Sequence, residues 1–221
     1  ITDFAGGHID AFGRLNAENP DSIITKLDVK IDQVSIPRVL KTFDNFGQSL
    51  ITHDSTEGVI SARITFLDAL PQDLVPTFEQ TRAEGNILID GGLLTNFEPF
   101  YVLQPFIRKE DMAYVKYNMA VTNITLVDSQ IIVPEVDFNS SIFHVLADGK
   151  ATVGGLLDFY LKVQPHQQRA RIIRPRIIEL VTGAPPERSI INLVVVGDAS
   201  DPQIKYDWER SGKNLLKRFV Y

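Results

Sequence analysis

The chain has 221 residues, of which 44% are hydrophobic and 23% are charged, a balance that is sufficient for an ordinary hydrophobic core. The formal net charge of −6 argues against a nucleic-acid partner, because nucleic-acid binding needs a basic surface. The absence of cysteine excludes a disulfide framework, a thiolate metal site and a cysteine nucleophile. The sequence contains no run of about 18 apolar residues and therefore predicts no membrane span, and we expect any anchoring segment to lie upstream of Ile1.

The first part of the chain predicts strands around one short helix. Apolar and polar residues alternate weakly over residues 8–15 and strictly over residues 26–34, which predicts two strands. Residues 35–47 instead carry apolar side chains at helical spacing, with Pro37 in the position of a first helical turn. This stretch predicts an amphipathic helix of about three turns that stops at Gly47.

The middle of the chain predicts two more strands followed by short helices. Residues 59–67 alternate, and residues 85–94 predict a strand that ends in a turn at the Asp-Gly-Gly sequence of 90–92. Two segments rich in Phe and Tyr, 96–108 and 110–116, predict short helical pieces.

The stretch from 123 to 163 has almost no helical period and predicts about four antiparallel strands. The pairs at 128–129 and 148–149 are turn-like. Pro134 suits a strand end or a bulge, and the two glycines at 154–155 suit a bulge or a sharp bend in a curved sheet.

The remaining segments are less regular. Residues 70–81 are rich in proline and show no regular alternation of apolar and polar residues, so they predict a loop. Residues 177–181 predict a helical turn. Residues 189–196 form a very apolar strand, and residues 207–221 predict a short amphipathic helix at the end of the chain.

The predicted fold is mainly β with a few short helices: a long, curved and mostly antiparallel sheet in one elongated domain over residues 1–221. An open sheet must cover its apolar face with helices, with another sheet or with a ligand. Two solutions stay open, a closed sandwich core and a groove that holds acyl chains. The candidate groove residues are Leu27, Val29, Ile31, Ile64, Phe66, Ile87, Ile89, Phe143, Val145, Leu157, Phe159, Leu161, Leu193 and Val195.

The sequence does not predict a catalytic or metal site. The four histidines are scattered, and no nucleophile elbow, zinc-ligand spacing or phosphate-binding glycine loop occurs. Glu135 and Asp137 share a strand face as a glycosidase pair could, but a chain with 28 acidic residues contains such pairs by chance. We therefore predict a protein that is not an enzyme and has no cofactor.

One basic cluster follows the predicted sheet. It is a candidate for contact with lipid phosphate headgroups, and the alternative is a solvated loop whose charges are paired locally. The cluster consists of Arg169, Arg171, Arg174 and Arg176.

Four stretches with β-hairpin signatures carry a resemblance to a known family. They are DNFGQSLI from Asp44 with the following EGVISARITF, GNILIDGGLLTNFEPFYVLQPFIRKEDMAYVKYN from Gly85, NITLVDSQIIVPEVDFNSS from Asn123, and VVVGDASDPQIKYDWERSGKNLLKRF from Val194. These stretches resemble AsmA-like proteins of the bacterial cell envelope. The similarity covers residues 27–219, and the sequence departs from the family pattern after Val163.

The resemblance implies a C-terminal periplasmic region, anchored in the inner membrane by a helix that this chain does not contain. The family is related to TamB-like and bridge-like lipid transfer proteins, so a taco-shaped sheet with an apolar inner groove is implied. The implied role is to bind or guide phospholipid between the inner and outer membranes, and the family offers no catalytic residues to carry over. The alternatives are a scaffold for outer-membrane protein assembly that accepts strands at its sheet edges, and a carbohydrate-active enzyme with two carboxylates across a cleft.

Overall fold

One antiparallel sheet of 11 strands forms the protein in a computed structural model, which describes residues 2–16, 18, 23–47, 51–70, 81–166 and 190–207. Each strand pairs with its neighbours in the chain, and no pairing within those ranges joins the first strand to the last, so the sheet is open. The strands are β1 (Thr2–Phe4), β2 (Gly7–Asn16), β3 (Ile23–Ser35), β4 (Thr56–Leu70), β5 (Arg82–Thr95), β6 (Tyr114–Val127), β7 (Gln130–Ser140), β8 (Phe143–Thr152), β9 (Leu156–Pro165), β10 (Ile191–Asp198) and β11 (Gln203–Tyr206).

The predicted fold class is confirmed: the chain is mainly β, antiparallel and open, with only short helices in its described part. The alternation of apolar and polar residues produces this arrangement, because it gives each strand one apolar face and one polar face. Most predicted strands are present and longer than the alternating runs, as the strand predicted at 26–34 shows by extending over Ile23–Ser35. The strand predicted at 189–196 is instead shifted to Ile191–Asp198. The predictions at 71–80, 169–181 and 208–221 lie outside the described residues.

The predicted three-turn helix is shorter than expected. The α-helix α1 spans Ile36–Thr42, with a proline in its first turn as predicted, and a 3₁₀ segment follows at Asp44–Gly47. Asp44 and Asn45 have φ angles of 48° and 51°, in the left-handed region. An α-helix cannot continue through two such residues, so it ends before them.

The Asp-Gly-Gly sequence at 90–92 is a bulge, and the turn predicted there is wrong. β5 runs through it to Thr95, and the register on β6 shifts between Ile89 and Gly92. Gly91 has a φ of 61°, so it takes up one extra residue within the strand without reversing the chain. Two 3₁₀ segments, Glu98–Leu103 and Lys109–Met112, follow β5, and the predicted helix at 110–116 therefore ends early and gives way to β6.

The four strands predicted from 123 to 163 are present as the second half of β6 and as β7, β8 and β9. The turn at 128–129 is confirmed, with φ angles of 48° and 58°, and the register shift between Val133 and Val136 confirms a bulge at Pro134. The other two predictions are wrong. The pair at 148–149 lies within β8, and the glycines at 154–155 lie in the turn between β8 and β9.

Gly149 is required inside β8 because the neighbouring strand approaches closely. A Cβ atom at this position would lie 2.4 Å from the carbonyl oxygen of Asp158 and 2.6 Å from the Cα of Phe159. The Asp-Gly pair therefore serves strand packing, although its composition suits a turn equally well.

The hydrophobic core lies at one end of the sheet, under the segment that joins β5 to β6. Leu103, Ile107 and Met112 of this segment are buried against the sheet. Aromatic rings extend the core, since the Phe143 ring contacts Phe100 edge-to-face with 5.0 Å between centroids. The buried sheet residues beneath the segment are Val115, Phe143, Val145, Val163, Ile191 and Leu193.

Replacing Gly149 with alanine is expected to lower the free energy of unfolding by about 1–3 kcal/mol, because backbone atoms must move to admit the new methyl group. Gly154→Ala is the matched control, since its Cβ would lie 3.7 Å from Thr152 Oγ1, an ordinary contact. The control is expected to change stability by less than about 0.5 kcal/mol. Urea unfolding followed by circular dichroism measures both variants, and equal losses would contradict the packing role of Gly149.

Candidate functional site

Cross-strand pairing aligns apolar residues into rows that run across the sheet on one face. Directly paired residues point to the same side of a sheet, so the register alone defines each row. Row A contains Val34, Ile60, Ile89, Met119, Phe138, Val145, Val163 and Ile191. Row B crosses ten strands and contains Ile9, Ile31, Ala62, Ile87, Val121, Val136, Ala147, Leu161, Leu193 and Tyr206.

Two further rows lie towards the other ends of the strands. Row C contains Ala11, Val29, Ile64, Gly85, Ile124, Val133, Gly149, Phe159, Val195 and Ile204. Within it, Ile124 and Val133 face each other because they lie between the pairs Thr122–Glu135 and Thr125–Ile132. Row D contains Gly13, Leu27, Phe66, Ala83, Leu126, Ile131, Ala151, Leu157 and Gly197. Apart from glycines and the Tyr206 hydroxyl, the four rows present only hydrocarbon, aromatic and thioether side chains.

Bulges keep the apolar residues on one face. Val121 and Ile124 on β6 are three residues apart, which would normally place them on opposite faces, but the register shifts between them. Asn123, at a φ of 56°, takes up the extra residue, and the bulge at Pro134 does the same opposite it on β7. Bulges also bend a strand and increase its twist, so they provide a physical source of curvature in this sheet.

The described segments that pack on the apolar face bury it unevenly. The segment that contains both 3₁₀ pieces between β5 and β6 buries parts of rows A and B, and the hydroxyl of Tyr206 donates a hydrogen bond to the Val102 carbonyl of that segment. Near the other end of row A, Leu40 of α1 and Val34 are buried. Row D has a different environment, since its side chains are half-buried or exposed with the exception of the buried Ala83.

Tyr117 marks the boundary of the cover. Its ring lies on Gly92, where a Cβ would come within 2.5 Å of the ring carbons, and stacks on Phe138 with 4.9 Å between centroids. Burial raises the pKa of the Tyr117 hydroxyl, and a hydrogen bond with Thr56 partly opposes that rise. The ring therefore stays neutral at physiological pH and contributes to the apolar surface.

All fourteen candidate groove residues lie on this face, but they do not share one environment. Phe143, Val145 and Leu193 belong to the hydrophobic core, and Phe143 is only 1% exposed. The other eleven are half-buried or exposed, as expected for the wall of an open groove. The candidate headgroup contacts Arg169, Arg171, Arg174 and Arg176 lie outside the described residues.

Sequence reasoning missed the contributions of β6 and β7 to rows A and B. Met119 and Val121 have odd numbers, whereas Ile124 and Leu126, further along the same strand, have even ones. Strict alternation would assign the two pairs to opposite faces. The left-handed Asn123 restores them to one face, and an asparagine within an apolar strand was the available signal.

The opposite face of the described sheet carries most of the charged side chains, together with single exposed apolar ones such as Leu88 and Leu146. Thr65 donates a hydrogen bond to Asp28 over 2.7 Å, and Lys30 lies 3.9 Å from Asp32. Asp137 lies 2.8 Å from His144 Nε2. Within the described ranges there is no group of three potential metal ligands, and no helix there is long and apolar enough to cross a membrane.

A shallow depression of about 430 Å³ lies on the polar face of β2, β3 and β4. Its floor is formed by residues whose side chains belong to row C on the other face. Its walls carry both signs of charge, and it is lined by Asp10, Phe12, Asp28, Lys30, Arg63 and Thr65 around that floor. This mixture does not select one class of ligand.

The fold and its site define a protein with an open, two-sided β-sheet, solvated on one face and apolar across the other. Comparisons with protein-family models, with curated proteins and with solved structures gave no match to this chain.

The unequal cover predicts unequal effects of truncating two leucines on the same face. Leu193→Ala is expected to cost about 2–5 kcal/mol, because the leucine is 3% exposed and its removal leaves a cavity. Leu27→Ala is expected to cost less than about 1 kcal/mol, since Leu27 is 39% exposed. Denaturant unfolding of both variants measures the difference, and an equally large loss for Leu27 would show that row D is packed core.

Proposed function

We propose that this protein binds phospholipid acyl chains along the uncovered part of its apolar face, as a non-enzymatic module of the bacterial cell envelope. The observation that supports this proposal is the set of four apolar rows, which continue from strand to strand without a charged side chain. A hydrocarbon chain suits such a surface because it needs no hydrogen bonds.

Burial of apolar surface favours a ligand on rows C and D, whose described side chains are mostly half-buried or exposed. Burial of apolar surface contributes about 25 cal/mol per Å², or roughly 0.8 kcal/mol for each CH₂ group. Exposed apolar patches larger than a few hundred Å² are uncommon on soluble proteins and mark sites of interaction. Rows C and D extend across most of the strands, so an acyl chain lying on them would gain contacts along its whole length.

The direction of the rows supports guidance in addition to binding. Strands in a sheet lie about 4.8 Å apart, so row C, which crosses ten strands in nine steps, spans about 43 Å. The hydrocarbon core of a bilayer is about 30 Å thick, which is the combined length of two opposed acyl layers. A single acyl chain would therefore occupy part of a row and find equivalent contacts at each neighbouring strand.

The proposed location is the periplasm, with an anchor in the inner membrane, and it rests on the resemblance to AsmA-like proteins. The same resemblance supports phospholipid as the ligand over other apolar molecules. The transport of lipid between the two membranes of the envelope is the corresponding proposed role.

A charge placed on row D is expected to remove bound lipid. Leu27→Asp introduces a carboxylate on the apolar face at a side chain that is 39% exposed, so the variant should still fold. An acyl chain over this site would lose apolar contact and would desolvate a charge. The wild type and the variant would be incubated with vesicles of phosphatidylethanolamine and phosphatidylglycerol, re-purified, and analysed by native mass spectrometry and lipid extraction.

Leu146→Asp is the matched control, because Leu146 is 42% exposed and lies on the polar face. It should keep the lipid occupancy of the wild type, whereas Leu27→Asp should lose most of it, with both variants folded by circular dichroism. Equal occupancy in all three proteins would contradict the assignment of the face. A wild type that carries no lipid at all would favour the alternative function, a scaffold for outer-membrane protein assembly.

A further inference from the structure

The sequence contains two Asp-Gly pairs, and the sheet places them in different environments. Asp90 and Gly91 lie in the bulge of β5, where both residues are exposed. Asp148 and Gly149 lie inside β8, where Gly149 is paired with a neighbouring strand on both sides. An aspartate that precedes glycine can form a cyclic imide, because glycine has no side chain to hinder attack by its backbone nitrogen on the carboxyl group. The two pairs therefore separate the effect of structure from the effect of sequence.

The bulge removes Gly91 from the hydrogen-bonded ladder. The registers of β5 on both of its neighbours, β4 and β6, skip this residue. Its N–H donates instead to two side-chain oxygens, Asp90 Oδ1 over 2.9 Å and Asn118 Oδ1 over 3.1 Å. The backbone nitrogen of Gly91 is thus held by side chains at the sheet surface and not by a neighbouring strand.

The carboxyl group that would react already lies beside this nitrogen. A carboxyl carbon is one bond from each of its oxygens, so the contact between Gly91 N and Asp90 Oδ1 also brings the nitrogen close to Asp90 Cγ. The surrounding space is open, since a Cβ built on Gly91 would meet no atom within 4 Å. A five-membered ring can therefore form at the bulge without displacing a neighbour.

We propose that the Asp90-Gly91 bulge is a site of spontaneous isoaspartate formation in the folded protein. The Gly91 nitrogen attacks Cγ of the protonated Asp90 carboxyl group, and the hydroxyl group and the amide proton leave together as water. Water then opens the succinimide at one of its two carbonyl groups. Opening at the side-chain carbonyl restores aspartate, whereas opening at the main-chain carbonyl leaves isoaspartate with a free α-carboxylate. One water leaves and one is added, so the steps need no oxidant or cofactor.

Inside β8 the fold opposes the same chemistry. A Cβ on Gly149 would lie 2.4 Å from the Asp158 carbonyl oxygen, so a ring at this position has no room. The reaction at Asp148 would first require β8 to separate from its two neighbours, and such opening of an interior strand has a low population. The structure therefore predicts slow isomerisation at Asp148, although the dipeptide is the same.

Isoaspartate at position 90 would lengthen the β5 backbone by one methylene group. The extra length would enter between Ile89 and Gly92, where the register on β6 already shifts. The Tyr117 ring lies on Gly92 and marks the boundary of the cover on the apolar face. The modification would thus alter the junction between the covered and the open parts of this face. The inference itself does not depend on lipid binding.

Ageing of the purified full chain at physiological pH and temperature tests this site. Peptides that span positions 90 and 148 are separated after proteolysis, and isoaspartate is identified by electron-transfer fragmentation and by enzymatic methylation with S-adenosylmethionine. The chain aged in guanidinium chloride is one control, since both pairs are then unfolded. Asp90→Glu is a second control, because the longer side chain would have to close a less favourable six-membered ring.

In the folded chain, isoaspartate is expected to accumulate at position 90 at least about tenfold faster than at position 148, because only β8 must open before it reacts. In guanidinium chloride the two rates should converge, and Asp90→Glu should give no isoaspartate at position 90. Two results would each overturn the proposal. The first is equal rates at the two positions in the folded chain, and the second is an Asp90 that reacts only in denaturant. Either result would show that the bulge does not permit the reaction.

Discussion

The structure depends on one constraint, the hydrogen-bonded register between each strand and the next. Because the side-chain period of a strand is two, a slip of one residue would transfer every apolar side chain of that strand to the wet face. Each antiparallel pairing therefore fixes which residues of the next strand join the apolar rows, and row B extends over ten strands only because no such slip occurs. Where the sequence would place an apolar residue on the wrong face, as after Val121, a bulge corrects the count.

The same register explains why the apolar face is covered unequally. The segment between β5 and β6 supplies Leu103, Ile107 and Met112, which bury one end of the sheet and provide a conventional core. Row D has no comparable set of buried partners in the described residues, and its leucines and phenylalanine remain half-buried or exposed. Among the described residues, the covered end of the strands therefore holds the hydrophobic core, whereas the side chains of row D contribute less buried surface to the fold.

The sequence predicts the class of fold well because alternation is a local property. The strict pattern around Val29 is sufficient to predict β3, and the four strands from 123 to 163 follow from the same reasoning. Turns are harder to predict, because Asp-Gly and Gly-Gly sequences serve equally well as turns, bulges and points of close strand approach. Gly91 bulges within β5 and Gly149 makes room for Phe159, whereas Gly154 and Gly155 lie in the turn that joins β8 to β9. The groove candidates share a face as predicted, but their division into core and open wall depends on a segment distant in sequence, which no local pattern reveals.

A sheet in which every strand touches only its chain neighbours behaves almost as a one-dimensional array. Such an array can lengthen its apolar face by adding strands without rearranging the existing ones. It also always has two edges, where backbone groups lack the strand that each interior strand possesses. Within the described sheet every strand from β3 to β10 is paired on both sides, which is why row A crosses these eight strands without a charged side chain.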